Sequence, residues 1–407
     1  MKYSILSKLP TTPLTITLIS LLYDENSYEV PATITDIYDD FTKVLLGKLE
    51  IKSKTELLIF NLKRRIFTVV ALYMLDSNKF ELSFNEFMEI INSFLSSRNY
   101  EEQSETQIHQ IISSSGLLYV DLENKVGFKQ QAFIEYLASI EIYDNARESH
   151  YIKMLSHFNE SSWQNTTIFF AGKSKEVYGM IDNLLSNMPN NNLGDWMINT
   201  GGMGYLSQAL YLAPASERKK LVRKSIENMT LSFYEIKKLS ESKEGFLSDL
   251  PLPVLASMLN FWFTENFRSI TMKATLSEVF NDLIIEFPKP DVHDFNIDFQ
   301  LFLLASVLID KYINDEDAFY TLLERDSFVK NPVLMVAGDA LLRSNTVEKN
   351  KNMKEAKEKI EKNIRSHIKV IKNIIKEPAY RFDNDYRLLE KDKSENTSEF
   401  KEIENEI

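Results

Sequence analysis

The sequence predicts a mainly α-helical protein: a helical region, then a winged helix with a small β-hairpin, then an irregular α-solenoid. Eleven glycines and eleven prolines among 407 residues are few, which disfavours a β-sandwich or barrel with many tight turns. Apolar residues recur at helical spacing along most of the chain. A hydrophobic content of 44% is enough to bury a sizeable core in two or three domains.

Pattern and composition divide the chain into five segments. In chain order they are a helical segment (1–53), a winged-helix domain (54–149), a solenoid-like helical domain (150–345), a basic amphipathic helix (346–377) and an acidic, partly disordered tail (378–407). The basic helix has ten Lys or Arg against three Glu from Lys349 to Lys376, together with a stripe of isoleucines at helical spacing. We expect the stripe to be buried and the lysines solvated, in preference to contact with nucleic acid, a membrane surface or an acidic partner.

The second segment has the element order of a winged helix, because three predicted helices precede a two-stranded hairpin. The hairpin strands, Leu117–Asp121 and Lys125–Phe128, are joined by polar turn residues. Ser83 and Glu86 are spaced as a capping box at the start of the second helix. The predicted helices of the first two segments are 13–23, 35–49, 54–75, 83–95, 104–113 and, after the hairpin, 131–147.

After residue 150 the predicted helices show no fixed period, which favours antiparallel pairs packed as an irregular α-solenoid. Gly172-Lys-Ser is predicted to be a helix C-cap, because Thr167 stands where a phosphate-binding loop needs its first glycine. Thr200-Gly-Gly-Met-Gly204 is predicted to be a flexible interhelical turn, because it matches no dinucleotide-binding fingerprint. The predicted helices here are 177–186, 204–212, 217–228, 253–263, 271–287, 299–312 and 318–325.

Two stretches resemble a known family. Residues 125–139, KVGFKQQAFIEYLAS, resemble the F-x-H-x-x-F-x-E-Y-L-A-A signature that closes the winged-helix region of NACHT-type signalling ATPases of the STAND class. Residues 9–50 are also similar to that family, through LPTTPL at Leu9–Leu14 and P-x-T-x-x-x-I-Y at Pro31–Tyr38. The chain therefore resembles the C-terminal half of a NACHT-family ATPase: the end of the helical domain, the winged helix and a helical sensor region.

The resemblance implies two nucleotide-facing positions. In the family, a proline at the place of Pro13 packs against the adenine, and a histidine at the place of Gln130 meets the phosphates. Glutamine donates a hydrogen bond but carries no positive charge, so a charge-assisted clamp on phosphate is lost. We therefore expect Pro13 and Gln130 to be vestigial cofactor-binding positions. The alternative is that Gln130 simply caps the following helix.

The motifs of an enzyme are missing from this sequence. No phosphate-binding loop is present, so ATP or ADP is expected only if a partner supplies the core. The five histidines have no metal-ligand spacing, the chain has no cysteine, and no nucleophile elbow occurs. We expect a non-catalytic protein without a metal site or cofactor of its own.

The expected partner is a protein, or an ATPase core supplied in trans, and oligomer formation stays open. Nucleic acid is not expected, because the third helix of the winged helix, 101–114, carries three Glu and no Lys or Arg. No apolar run is long enough to span a membrane, and the absence of cysteine suits a reducing cytoplasm. The resemblance implies a regulatory or sensing role, in bacteria often in defence against phage. The alternative is a helical scaffold or adaptor that binds a partner along its solenoid without a nucleotide switch.

Overall fold

The computed structural model describes residues 9, 12–25, 33–47, 53–241, 250–288, 294–344, 351–366, 369 and 372. Helix accounts for 75% and strand for 3%, with one three-stranded antiparallel sheet, so the predicted mainly α-helical fold class is confirmed. The chain forms two compact units: Met1–Ser225 with Ser269–Thr275, and Ile226–Arg268 with Leu276–Ile407. This division is coarser than the five predicted segments, which stay predictions.

The first unit consists of helices around one small sheet. Its elements are α1 (Pro13–Glu25), α2 (Ile34–Leu45), α3 (Lys54–Asp76), β1 (Glu81–Ser83), α4 (Phe84–Ser96), α5 (Glu105–Ser113), β2 (Leu118–Val120), β3 (Lys125–Phe128), α6 (Gln131–Asp144), α7 (Glu148–Ser156), α8 (Ser161–Ser174), α9 (Met180–Asn187), α10 (Leu193–Ala209), the start of α11 (Ala215–Glu241) and a 3-10 helix (Ile270–Met272).

The segment from α3 to β3 follows the winged-helix order. The predicted hairpin is confirmed, with Leu118 opposite Phe128 and Val120 opposite Val126. β1 pairs with the other side of β3, so the sheet order is β1-β3-β2. β1 was not predicted, because three residues are too few to show an alternating pattern.

Ser83 begins α4 as predicted, but the capping box is only half formed. The Ser83 hydroxyl accepts the backbone N–H of Glu86 at 3.2 Å. The Glu86 carboxylate instead accepts from Lys79 Nζ at 2.6 Å and Tyr73 Oη at 2.7 Å. Glu86 therefore ties α4 to α3 and the turn that follows it.

α6 is the central helix of the first unit, since it packs against α2, α3, α7, α8 and β3. Ten consecutive side chains, from Phe133 to Ile142, are buried. The helical spacing of Phe133, Tyr136, Leu137, Ile140 and Tyr143 predicts a single apolar face on the helix 131–147. This prediction is wrong because neighbours cover α6 on all sides. Tyr143 itself is exposed.

Both glycine-containing segments are helical: the turn predicted at Thr200–Gly204 is wrong, and the C-cap predicted at Gly172-Lys-Ser lies one residue later, at Lys175. Gly172 is in the last turn of α8, where a Cβ atom would lie 2.8 Å from the Cβ of Thr35 in α2, and the left-handed C-cap is Lys175 (φ 66°). Gly202 is buried within α10, where a Cβ atom would lie 2.7 Å from the Phe158 ring. These glycines allow close helix packing, at a cost in helix propensity.

The second unit is helical throughout its described residues. Sequential neighbours pack on each other from α14 to α18, which agrees with the predicted irregular α-solenoid, and α12 contacts both α14 and α17. Its elements are the rest of α11, α12 (Leu252–Phe267), α13 (Lys273–Glu286, from Leu276 onward), α14 (Phe295–Leu308), α15 (Asp317–Leu323), α16 (Asp326–Lys330), α17 (Pro332–Ser344) and α18 (Lys351–Ser366).

α18 is the described part of the predicted basic helix. Its Ala356 and Ile360 are buried and the helix packs on α17, while Lys354, Lys357 and Lys359 are exposed. The isoleucine stripe beyond Ile364 and the predicted acidic tail lie outside the described residues. Within the described ranges, every helix is too short or too polar to cross a membrane.

Candidate functional site

Four polar side chains at the start of α6 and along it each bond to a different part of the first unit. They are Gln130, Glu135, Tyr136 and Glu141, and we call them the α6 hub. Because α6 is buried on all sides, each of these polar groups needs a partner inside the protein. The identity of those partners defines what the site can do.

Gln130 bonds to the N-terminal end of α1. Its side-chain Nε2 donates to the hydroxyls of Thr12 at 2.9 Å and Thr15 at 3.2 Å. The Thr12 hydroxyl also accepts the backbone N–H of Thr15, so it caps the helix that begins at Pro13. The structure thus brings together the two positions that the sequence singled out, Pro13 and Gln130.

The capping alternative for Gln130 is wrong. Gln130 does stand at the N-cap position of α6 with extended backbone (φ −143°, ψ 138°), but its side chain makes no capping bond there. The side chain reaches α1 instead, since its amide donates to the two threonine hydroxyls.

Glu135 is buried, with 3% of its surface exposed, and its partners are uncharged. It accepts from Gln131 Nε2 at 2.9 Å and from Asn165 Nδ2 of α8 at 3.1 Å. Burial raises the pKa of Glu135 to about 7, because it outweighs the hydrogen bonds from Asn165, Gln131 and Ser162 that lower it. Glu135 therefore joins α6 to α8 through a carboxyl group that titrates near neutral pH.

Tyr136 joins α6 to α2. Its hydroxyl donates to Asp39 Oδ1 at 2.6 Å, and Asp39 also accepts from Lys43 Nζ at 2.6 Å. Arg64 of α3 lies 3.4 Å from the same carboxylate. Burial acts to raise the pKa of Asp39, but the hydrogen bonds from Lys43 and Tyr136 hold it below its ordinary value. Asp39 is thus an ionised acceptor for two other helices.

Glu141 joins α6 to α3 and to the start of α7. Its carboxylate pairs closely with Arg65 and accepts from Thr68 Oγ1 at 2.9 Å. It also accepts from Arg147 Nη2 at 3.0 Å and Asn145 Nδ2 at 3.2 Å. Glu141 is only 1% exposed, and its ion pairs with two guanidinium groups offset the cost of burying its charge.

The hub is suited to holding helices together, because each of its members bonds to a different neighbour. In the described part of the chain no group of three His, Cys, Asp or Glu residues is placed to hold a metal ion. Gly172-Lys-Ser is helical, so its backbone N–H groups do not form a phosphate cradle.

Glu135 and Glu141 were not among the site residues predicted from the sequence. The available signal was the presence of two acidic residues within the otherwise apolar stretch FIEYLASIEI. Ionisable residues are almost never fully buried unless they are paired or hydrogen-bonded, so their place in that stretch indicates specific partners. Which residues those partners are depends on other helices of the chain and cannot be found from the local sequence.

No protein-family model matches this chain, and comparison with curated proteins and with solved structures finds no match either. The family resemblance therefore rests on the motifs within residues 9–50 and 125–139 alone.

Proposed function

We propose that the chain is a non-catalytic regulatory and sensing portion of a NACHT-like signalling ATPase, with the nucleotide-binding core supplied by a partner in trans. The motifs within residues 9–50 and 125–139 support this proposal, as does the winged-helix order between them. A cytoplasmic role in bacterial defence against phage is the biological setting that the resemblance suggests.

The bond between Gln130 and the start of α1 is the observation that carries the proposal. It links the two family-like stretches through a contact between side chains that lie far apart in the sequence. The rest of the hub connects α6 to α2, α3 and α8, so displacing one of these helices disturbs a shared set of buried polar contacts. A switch needs an element of this kind, which several neighbours hold at once.

The nucleotide belongs to the partner in this proposal. Pro13 and Gln130 would face ATP or ADP only in a complex with the ATPase core. In this structure Gln130 instead contacts the Thr12 hydroxyl, and this neutral amide–hydroxyl bond is weaker than a charge-assisted bond to phosphate.

Co-purification from the native cell tests the proposal. A tagged full-length chain is expected to recover a protein that contains a phosphate-binding loop. The recovered complex should bind ATP with magnesium, whereas the isolated chain should not. Magnesium-dependent ATP binding by the isolated chain would overturn the proposal.

A helical scaffold is the second candidate, and an exposed apolar row on α12 favours it. Val254, Met258, Phe261 and Trp262 lie on one face of the helix and are exposed, with Phe261 at 66%. Residues 252–264 carry no charged side chain, and a helix that is apolar all round is normally buried. The occupant that fits this uncharged face is the apolar side of an amphipathic helix of a partner protein.

Two matched variants separate the candidates. Phe261→Ser is expected to abolish capture of a scaffold partner, and Ile285→Ser, at a comparably exposed apolar position on α13, to leave it intact. Recovery of partners that lack a phosphate-binding loop, and that Phe261→Ser removes, would favour the scaffold. Equal loss in both variants would contradict a role for the α12 row.

A further inference from the structure

Three arginines lie close together at one place on the first unit. The Glu141 carboxylate bridges Arg65 of α3 and Arg147 at the start of α7. Arg98, just after α4, lies with its guanidinium carbon 3.8 Å from the centre of the Phe94 ring, and that of Arg65 lies 5.5 Å from the same centre. The three guanidinium groups therefore form one chain of neighbours, from Arg147 through Arg65 to Arg98.

The cluster is short of negative charge. Arg65 and Arg147 share the single carboxylate of Glu141, and Arg65 is also acted on by the positive charge of Arg98 and the negative charge of Asp144. Burial, and next the positive charges of Arg98 and Arg147, lower the pKa of Arg65 to about 10, against the opposing effect of Asp144. This local excess contrasts with the net charge of −12 for the whole chain.

The three arginine side chains are partly open to solvent, and each is held by contacts within the protein. Arg147 is 46% exposed and Arg65 25%, and Arg98 is exposed. Arg98 donates through Nη1 to the Phe94 carbonyl and the Ser97 hydroxyl; within the described residues its Nε and Nη2 make no hydrogen bond. The buried Glu141 orients Arg65 and Arg147, while Arg98 and Arg65 both lie against the Phe94 ring.

We infer that Arg65, Arg98 and Arg147 form a binding site for a phosphate group. A guanidinium fork matches phosphate oxygens in two-pronged contacts. A tetrahedral phosphate offers an oxygen to each of three forks, whereas a carboxylate has only two oxygens to share. The charge of a phosphate monoester also offsets the excess that Arg65 experiences.

The site is independent of the proposed function, because it needs neither an ATPase core nor magnesium. Inorganic phosphate and the phosphate of a nucleotide share the same chemistry, so both are probes. A magnesium-free titration keeps this test apart from that of the proposed function, which concerns magnesium-dependent binding.

Phosphorus NMR of inorganic phosphate with the full chain measures the affinity. Wild type is expected to bind saturably, and Arg98→Ala and Arg147→Ala each to weaken binding about tenfold, since each removes a charge-assisted contact. Arg98→Lys keeps the charge without the guanidinium fork, so its affinity for phosphate should lie between those of wild type and Arg98→Ala. Lys330→Ala removes one positive charge from the other unit, at a side chain 59% exposed, and should bind as wild type.

Arg98→Ala binding as tightly as wild type, an equal loss in Lys330→Ala, or the absence of binding by wild type would each overturn the site.

AMP and adenosine identify the source of the phosphate. Similar affinities for AMP and inorganic phosphate indicate the phosphate alone, and tighter AMP binding that Arg98→Ala weakens indicates a nucleotide. Adenosine binding as tightly as AMP would contradict a phosphate site. Arg98 is exposed, so its variants are expected to fold, which a thermal melt checks.

Discussion

Glu135 and Glu141 are buried carboxyl groups on the same helix, less than two turns apart, and they are held in opposite ways. Glu135 meets only amide and hydroxyl donors, whereas Glu141 meets two arginines. Glu135 can lose its charge near neutral pH and keep its hydrogen bonds, while the buried charge of Glu141 is balanced by two partly exposed arginines. The comparison separates a titratable joint to α8 from an ionic joint to α3.

Removing the ionic joint is expected to have the largest effect. Glu141→Ala leaves Arg65 partly buried without its partner, which should cost about 3 kcal/mol of unfolding free energy. Urea denaturation measures it. Glu123→Ala, which removes a carboxylate from the exposed wing turn, is the matched control and should cost well under 1 kcal/mol. If Glu141→Ala lost no more unfolding free energy than the control, Glu141 would not be an ionic joint of the kind described.

The titratable joint is expected to respond to pH. The folded-state pKa of Glu135 is about 7, above its ordinary value of 4.5, so folding favours the protonated acid. Its contribution is fully present below pH 4.5, falls by up to ~1.4 kcal/mol per pH unit as the pH rises through that window, and is constant above 7.

Glu135→Gln mimics the protonated acid and should remove this dependence. At pH 8 the variant is expected to be more stable than wild type by about 3 kcal/mol, and at pH 4.5 the gap should close. Denaturation of both proteins across this range measures the difference, with Glu123→Gln as the control. A gap that does not change with pH would mean that Glu135 stays ionised in the folded chain.

Crowding of α8 should disturb the Glu135 end alone. A Cβ atom at Gly202 would overlap the Gln164 side chain and approach the Phe158 ring to 2.7 Å. Gln164 adjoins Asn165, which bonds to Glu135. Gly202→Ala should therefore cost about 1–2 kcal/mol despite the better helix propensity of alanine.

The position of the disturbance distinguishes Glu135 from Glu141. Gly202→Ala should also shift the apparent pKa of Glu135, followed by carboxyl NMR, and leave the contacts of Arg65 with Glu141 unchanged. Gly179→Ala, at a position with open space and positive φ, is a useful contrast because its cost arises from backbone strain alone.

Local pattern predicted most of the fold, and distant neighbours decided the rest. Apolar periodicity located the helices, and the turn residues predicted the β2–β3 hairpin. β1 was too short to show a pattern, and the glycines of α10 were mistaken for a turn because their use depends on where Phe158 lies.

The candidate site was predicted only in part, for a similar reason. Pro13 and Gln130 were singled out through the family resemblance, and the structure places Gln130 against the residues that flank Pro13. Glu135, Tyr136 and Glu141 belong to the α6 hub as well, but their partners come from helices up to 97 residues away. No local spacing rule relates such pairs.

Hydrogen exchange of α1 in Gln130→Ala tests directly whether Gln130 holds α1 against the start of α6. The variant loses two hydrogen bonds worth about 1 kcal/mol each, and it leaves the buried face of α6 intact. We predict faster exchange within residues 12–25 and unchanged exchange within residues 131–144. Gln131→Ala, which removes a bond to Glu135 instead, should leave α1 protected. Equal protection of α1 in Gln130→Ala and wild type would contradict a role for Gln130 in holding α1.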